Sequence, residues 1–276
     1  MAQQAHRFGI GIDIGGTGIK GGIVDLKKGK LVGERFRIPT PQPATPEAVA
    51  AVVAEVVAEL DSREDAPALD SPVGVTFPSI VVDGVTLSAA NVDKSWIGTN
   101  ADALFTRVLG RPVHLMNDAD AAGLAEARFG AGKDTPGVVL TITLGTGIGS
   151  AMVNDGRLVP NTELGHLEMN GTDAESQASA SARERLELDW DQYAQRLQQY
   201  FSHVEFLFSP RLFIVGGGIS KRSEDFLPQL KLKTPIIPAK LKNNAGIVGA
   251  ALQAGVQEKA AAKAAKHDAA EGPAEA

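Results

Sequence analysis

Apolar residues along the chain recur at two different periods, and the order in which the periods alternate predicts the architecture. Phe8 to Ile14 reads as a strand, the glycines at 15, 16 and 18 turn it into a second run from Ile19 to Val24, and after the polar turn KKGK a third runs from Leu31 to Ile38. Between 46 and 60 the period lengthens: Val49, Val52, Val53, Val56, Val57 and Leu60 recur at three- and four-residue spacings, which puts them on one helical face. Thr45 stands where an N-cap is needed and Pro46 at the first helical position. Val73 to Phe77 predicts a buried strand, and SIVVDGVTLS a hairpin turning at Asp83 and Gly84. Asn100 caps a predicted helix through Leu109, Val113 to Met116 is a short strand, and NDAD opens a helix through about Arg128. The first half is thus β-β-β-α-β-α with a hairpin inserted.

Beyond GAGKDTPG the same order returns. VVLTITL, a glycine turn, GSAMV, the NDG turn and RLV predict three strands, and a polar helical region from about 172 to 208 precedes the apolar strand LFIVG, more glycines and another helix. Gly-Thr-Gly-Ile occurs at 16 to 19 and at 145 to 148, each time between two apolar strands, so the halves read as a duplication. The expected division is one lobe over 1–115, a second over 116–256, and a tail over 257–276. That tail, QEKAAAKAAKHDAAEGPAEA, has no large apolar side chain to bury and is expected to be frayed or disordered.

Composition narrows the class. A length of 276 residues suits two lobes, and 43% hydrophobic with 22% charged residues are globular proportions. Lys and Arg number 27 against 33 Asp and Glu, a net charge of −6, which supplies no global attraction to nucleic acid or anionic lipid but leaves a local basic groove open. The absence of cysteine excludes disulfides, thiolate metal sites and cysteine nucleophiles. With no secretory leader pattern and no apolar run near the ~20 residues that span a bilayer, the expectation is a cytoplasmic protein.

The candidate chemistry lies in three glycine clusters and two polar ones. DIGGTGIKGG places Asp13 at a strand end before a turn whose glycines let backbone N–H groups approach an anion closely. Glycine also makes plain hairpin turns; the Walker pattern is absent, and a strand follows where a Rossmann fingerprint needs a helix. LGTGIGS repeats the turn in the second half, and two such tips could hold a phosphate chain. Gly216, Gly217 and Gly218 follow a strand and precede a predicted helix, where a flat or anionic ligand can rest on backbone. Asn117, Asp118 or Asp120 can each cap the helix that follows VHLM; one cap needs one residue, and a carboxylate left over at a strand end can take a proton from a bound hydroxyl. Glu163, His166 and Glu168 crowd around Gly165, a grouping suited to a polyhydroxyl ligand, while a metal site there lacks cysteine or a second nearby histidine. Trp96 and Trp190 are assigned to packing.

DIGGTGIKGGIVD, MNDADAAGLAE, LTITLGTGIGS, TELGH and FIVGGGIS, in that order across about residues 8 to 255, resemble the ROK group of bacterial sugar kinases and repressors, and within it the polyphosphate-using glucokinases and glucomannokinases of actinobacteria. The resemblance implies an α/β fold of the actin-like ATPase (ribonuclease H-like) kind, two duplicated lobes around a cleft. It implies that Asp13 helps hold Mg²⁺, with Gly15, Gly16 and Thr17 and then Gly145, Thr146 and Gly147 about the donor phosphates. Asp118 would be the general base for the sugar 6-hydroxyl and Asn117 would orient the sugar. Glu163 and His166 match the sugar-binding ExGH, Glu175 in AESQAS matches the later sugar-binding Glu, and Gly216 to Gly218 would lie by the nucleoside of ATP.

The implied activity is transfer of a terminal phosphoryl group from inorganic polyphosphate or ATP to glucose or mannose, by a homodimer or a monomer without nucleic-acid or membrane partners. Lys20, Arg128, Lys133, Lys221 and Arg222 are candidate cations for an extended polyphosphate groove. Two departures matter: the cysteine-rich zinc motif of many members is absent, so zinc is expected to be dispensable, and seven residues before the first strand leave no room for the repressors' helix-turn-helix. Two competing readings remain. One is an ATP-only kinase of another hexose or N-acylhexosamine, and the other, from a different class, is an actin-like filament or nucleotide switch on the same fold.

Overall fold

The alternating runs at the start of the chain pair as antiparallel neighbours, β1 (Phe8–Gly15) with β2 (Gly18–Asp25) and β2 with β3 (Lys30–Ile38). The computed structural model describes residues 7–89 and 92–271, with backbone alone at 261, 262 and 264–271. Helix α1 (Pro46–Asp61) follows, and its cap is the predicted one: the Thr45 hydroxyl accepts from the Ala48 N–H. Its stripe of Val49, Val53, Val56 and Leu60 is fully buried, and Val56 and Leu60 press so close to the sheet at Gly21 that a Cβ there would collide with both. β4 (Val73–Phe77) then joins β1 in parallel.

β5 (Val81–Val82) and β6 (Val85–Thr86) form the inserted hairpin, with Asp83 and Gly84 at φ of 49° and 75°, the two left-handed residues that its tight turn requires. Helix α2 (Ala101–Leu109) is capped by Asn100, and β7 (Val113–Asn117) completes a five-stranded sheet in the order β3-β2-β1-β4-β7. Trp96 is packing, as expected: it is buried, its ring centroid lies 4.3 Å from that of Phe77, and its indole N–H donates to the Ala44 carbonyl.

The second sheet repeats the plan. Helix α3 (Asp118–Phe129) precedes β8 (Val138–Leu144), β9 (Ile148–Asn154) and β10 (Arg157–Val159), an antiparallel meander. A small hairpin, β11 (Glu168–Met169) and β12 (Thr172–Asp173), leads to α4 (Glu175–Ala178), α5 (Ala180–Arg185) and α6 (Trp190–Phe208). β13 (Leu212–Gly216) joins β8 in parallel, α7 (Ser223–Phe226) follows, and β14 (Ile236–Pro238) ends a sheet ordered β10-β9-β8-β13-β14. Both sheets therefore carry three antiparallel strands and then a strand parallel to the first, which is the duplication the repeated motif predicts.

Three local expectations change. The polar region expected to be helical from 172 to 208 breaks at Ser179, which is extended and caps α5, and again around Glu187, which has a φ of 53°. The glycines after β13 lead into a 3-10 turn over Gly218–Arg222 and the four-residue α7, so no long helix begins there. β14 follows Pro235 and ends on Pro238, too short and too proline-bound for an apolar pattern to reveal it.

The chain ends in α8 (Ala245–Glu271), which revises both the expected tail and the expected boundary. Two units divide the molecule: the chain up to Met116 together with everything from Gly246 on, and Asn117–Ala245. Residues 246–256 thus belong with the first unit. Gly11 and Gly74, register neighbours on β1 and β4, are the reason: a Cβ on either would stand 1.9 Å from a carbonyl oxygen of α8, that of Ile247 or Ala250. The helix continues through Glu271 because Ala, Lys, Gln and Glu are strong helix formers even without a surface to bury; 272–276 lie outside the described residues. Among the described residues no helix is long and apolar enough to cross a membrane.

Candidate functional site

Asp13 lies near the end of β1, where the strands on either side fix its carboxylate. Its register partners are Lys20 on β2 and Thr76 on β4. Oδ1 accepts from the Thr76 hydroxyl at 3.1 Å and Oδ2 from Lys20 Nζ at 3.3 Å. A Cβ on Gly246 would stand 3.5 Å from Asp13 Cγ, so the carboxylate also sits beside the first turn of α8, where backbone dipoles favour an anion. Partly exposed, it is a hard oxygen donor of the kind a divalent cation shares with substrate phosphates. Among the described residues no group of three His, Asp or Glu is arranged to hold a metal by itself.

The glycine turn beside it leaves Gly16 and Thr17 exposed, while the Gly15 carbonyl accepts from the Thr40 hydroxyl. Arg37, which did not figure among the candidates, donates from Nη2 to the Thr17 carbonyl at 2.7 Å.

At the end of β7 the three capping candidates separate. Asn117 is the cap: buried, it accepts on Oδ1 from the N–H groups of Ala119 at 2.8 Å and Asp120 at 3.1 Å. Its carbonyl oxygen is therefore committed to the helix. Asp118 is exposed at the first helical position, with Oδ1 2.8 Å from the Ala119 nitrogen. Asp120 is buried; Oδ2 accepts from the Asn161 N–H at 2.7 Å and Oδ1 has no hydrogen-bond partner among the described residues. Burial pushes its carboxyl up to about 7, the Asn161 N–H opposing and the charges of Glu163 and Asp118 adding to the rise.

The segment carrying the ExGH residues is clamped from two sides. Asp120 holds Asn161, and the Ser150 hydroxyl on β9 accepts from the Leu164 N–H at 3.0 Å. Glu163 between them is half-buried; burial raises its carboxyl, His166 lowers it and Glu175 raises it. His166 Nδ1 lies 2.8 Å from Asp173 Oδ2, and this bond holds the imidazole above its ordinary pKa against a smaller opposing effect of burial, with Glu175 and Glu163 contributing their charge. Glu163, His166 and Glu175 are thus brought within electrostatic reach of one another.

Asp173 was not foreseen, because its position follows from the β11–β12 register, which sets it opposite Glu168, and no motif marks it. Glu175 is tied to the second glycine turn: Oε2 accepts from the Ile148 N–H at 3.2 Å and fills the space that a Cβ on Gly147 would need. The polar segment and the second glycine turn are consequently joined. In that turn Gly145 faces open space and Thr146 is exposed.

A cavity of about 120 Å³ opens at the third glycine cluster, lined by Gly216, Gly217, Gly218, Thr143, Lys221 and Asn243 among others. Gly217 has a φ of 81°, and a Cβ on it would stand 2.2 Å from the Leu144 carbonyl oxygen, so no other residue fits. Of the remaining candidate cations, Arg222 is paired with Asp225 at 2.5 Å and lies over the ring of Trp190, itself stacked on Phe226. Arg128 and Lys133 are exposed.

The ROK family profile matches residues 9–181. The polyphosphate glucokinase of Mycobacterium tuberculosis (strain CDC 1551 / Oshkosh) is 51% identical over 248 residues, 90% of this chain and 91% of its own length. The crystal structure of inorganic polyphosphate/ATP-glucomannokinase from Arthrobacter sp. strain KM is similar at a TM-score of 0.86 and 71% identity, covering 91% of this chain and 99% of that one. A ROK family glucokinase from Streptomyces griseus, solved in complex with glucose and AMPPNP, is similar at a TM-score of 0.74 and 26% identity, over 88% of this chain and 98% of that one. The fold is the actin-like ATPase fold that the motifs imply. Matched over more than half its length by the family profile and about half identical to a curated member across nine tenths of its residues, the chain belongs to the ROK family.

Proposed function

We propose that this chain transfers the terminal phosphoryl group of inorganic polyphosphate or ATP to the 6-hydroxyl of glucose, with mannose as a second acceptor. The observation that carries the reading is the acidic group of the second unit. Asp118 is exposed at the head of α3, where the Asn117 side chain accepts from the Ala119 and Asp120 N–H groups, and the charge of Glu175 is felt at both Glu163 and His166. Polyhydroxyl recognition needs such acceptors, and phosphoryl transfer to an alcohol needs one carboxylate that can take its proton. The relatives named for polyphosphate and glucose support the choice of donor and acceptor.

In this reading each residue has a task. The Asp118 carboxylate accepts the proton of the 6-hydroxyl as its oxygen attacks the terminal phosphorus. Glu163 and Glu175 accept from sugar hydroxyls. His166, its Nδ1 turned to Asp173, presents Nε2 to the ligand. Asn117 acts by fixing the helix start that aims Asp118. Gly15, Gly16 and Thr17, together with Gly145, Thr146 and Gly147, offer backbone N–H groups to the donor phosphates, and Gly216 to Gly218 accommodate a nucleoside when ATP is the donor. Asp13 would hold Mg²⁺, which when bound neutralises charge on the donor phosphate oxygens. Most of the rate then comes from alignment and charge neutralisation, with the base adding typically ~10²- to 10⁴-fold.

Asp118→Asn tests this directly. Turnover should fall by about 10²- to 10⁴-fold while glucose binding, followed by calorimetric titration, stays within a few-fold of wild type. Near-normal turnover would remove Asp118 from the base role.

A further inference from the structure

A row of polar residues crosses the first sheet at the level of Asp13. Thr76 on β4, Asp13 on β1, Lys20 on β2 and Arg37 on β3 are successive register partners. Their side chains therefore share one face, because residues in register point the same way. The row leads away from Asp13 in steps of about 5 Å per strand, so Arg37 lies two steps beyond it.

The two cations of the row differ in how they are held. Lys20 is paired with Asp13. Arg37 pairs with no carboxylate among the described residues; its guanidinium lies across the first glycine turn, anchored by its bond to the Thr17 carbonyl. Gly18 leaves it room, since a Cβ there would stand 2.5 Å from Arg37 Nε. A guanidinium has five N–H donors, and this bond uses one. The turn assigned to the donor phosphates thus carries an exposed, directed cation at its outer side, with donors remaining for phosphate oxygens.

We propose that Arg37 binds phosphate groups of a polyphosphate donor beyond those at the glycine turn and so sets the preference for polyphosphate over ATP. The inference rests on the phosphotransferase reading above and adds a residue to its donor site. ATP carries a nucleoside for which the Gly216–Gly218 cavity offers a second hold. Inorganic polyphosphate has only phosphates, so its affinity falls on cations placed along its length. Loss of Arg37 should therefore weigh on the two donors unequally.

The test is initial-rate kinetics of glucose 6-phosphate formation by wild type, Arg37→Gln and Arg37→Lys, with size-fractionated long-chain polyphosphate or ATP varied at saturating glucose. Arg37→Gln should raise KM for polyphosphate about 10- to 100-fold, as the loss of one charge-assisted contact implies. KM for ATP and for glucose should stay within about twofold, and Arg37→Lys should recover part of the polyphosphate affinity because it restores the charge without the fork. The rise of polyphosphate KM with added salt should also become shallower in Arg37→Gln. Equal losses with both donors would mean that Arg37 only braces the turn, and an unchanged polyphosphate KM would also overturn the proposal. A wild-type enzyme active with ATP but silent with polyphosphate would instead overturn the donor reading on which the proposal stands.

Discussion

Burial at Asp120 works against the charge of its own carboxylate. One oxygen is satisfied by the Asn161 N–H, the other is buried without a partner, and the charges of Glu163 and Asp118 are felt there. Its carboxyl titrates near 7 in the folded protein against 3.8 ordinarily. Below about pH 4 both folded and unfolded chains hold the proton. As pH rises from there the unfolded chain releases it first, so folding stability falls until the folded group ionises near 7, and is flat beyond. Asp120→Asn stays neutral and keeps an acceptor for Asn161. Relative to wild type its stability should improve between pH 4 and 8 by on the order of 2–4 kcal/mol, read as diverging melting temperatures, whereas parallel pH curves would show that Asp120 is not held protonated. That one of Asn117, Asp118 and Asp120 caps the helix was recognisable, but that the cap is Asn117 required the geometry of the helix start. Asp173 and Arg37 were not recognisable at all, because each acquires its neighbour from strand register.

At the scale of elements, glycine serves two purposes that look alike in the chain. The Asp83–Gly84 turn is legible, since the hairpin itself demands its backbone. Gly11 and Gly74 are not, because the surface they clear belongs to α8, which lies at the far end of the chain. Gly22 continues the same row on β2, opposite Gly11, and the three form a floor that α8 approaches at Ile247, Ala250 and Ala251. Gly11→Ala should destabilise the protein by about 1–3 kcal/mol or more, since a backbone carbonyl cannot move aside as a side chain can. Gly9→Ala is the control: its Cβ would meet only the Leu26 side chain at 3.3 Å and an α8 carbonyl at 3.6 Å. Thermal melts should rank wild type and Gly9→Ala well above Gly11→Ala; equal melting of the two variants would contradict the close packing of α8 on β1.

Over the whole molecule, the repeated Gly-Thr-Gly-Ile announced two related halves, and two sheets with the same strand order answer it. The division of the chain was less legible, since α8 belongs with β1 and β4 although the sequence order attaches it to the second half. Apolar periodicity could not reveal that return, because residues such as Ile247 and Val248 mark a face to be buried without marking which sheet covers it. The carboxylates and imidazole assigned to the sugar lie in one unit, and the carboxylate and glycine turn proposed for the metal and the donor phosphates lie in the other, so the proposed reaction needs both. The most direct test of the proposed phosphoryl transfer is glucose 6-phosphate formation by purified protein with Mg²⁺, supplied in one assay with nucleotide-free polyphosphate and in another with ATP. Product from both donors is the predicted result, and the absence of product from either would contradict it.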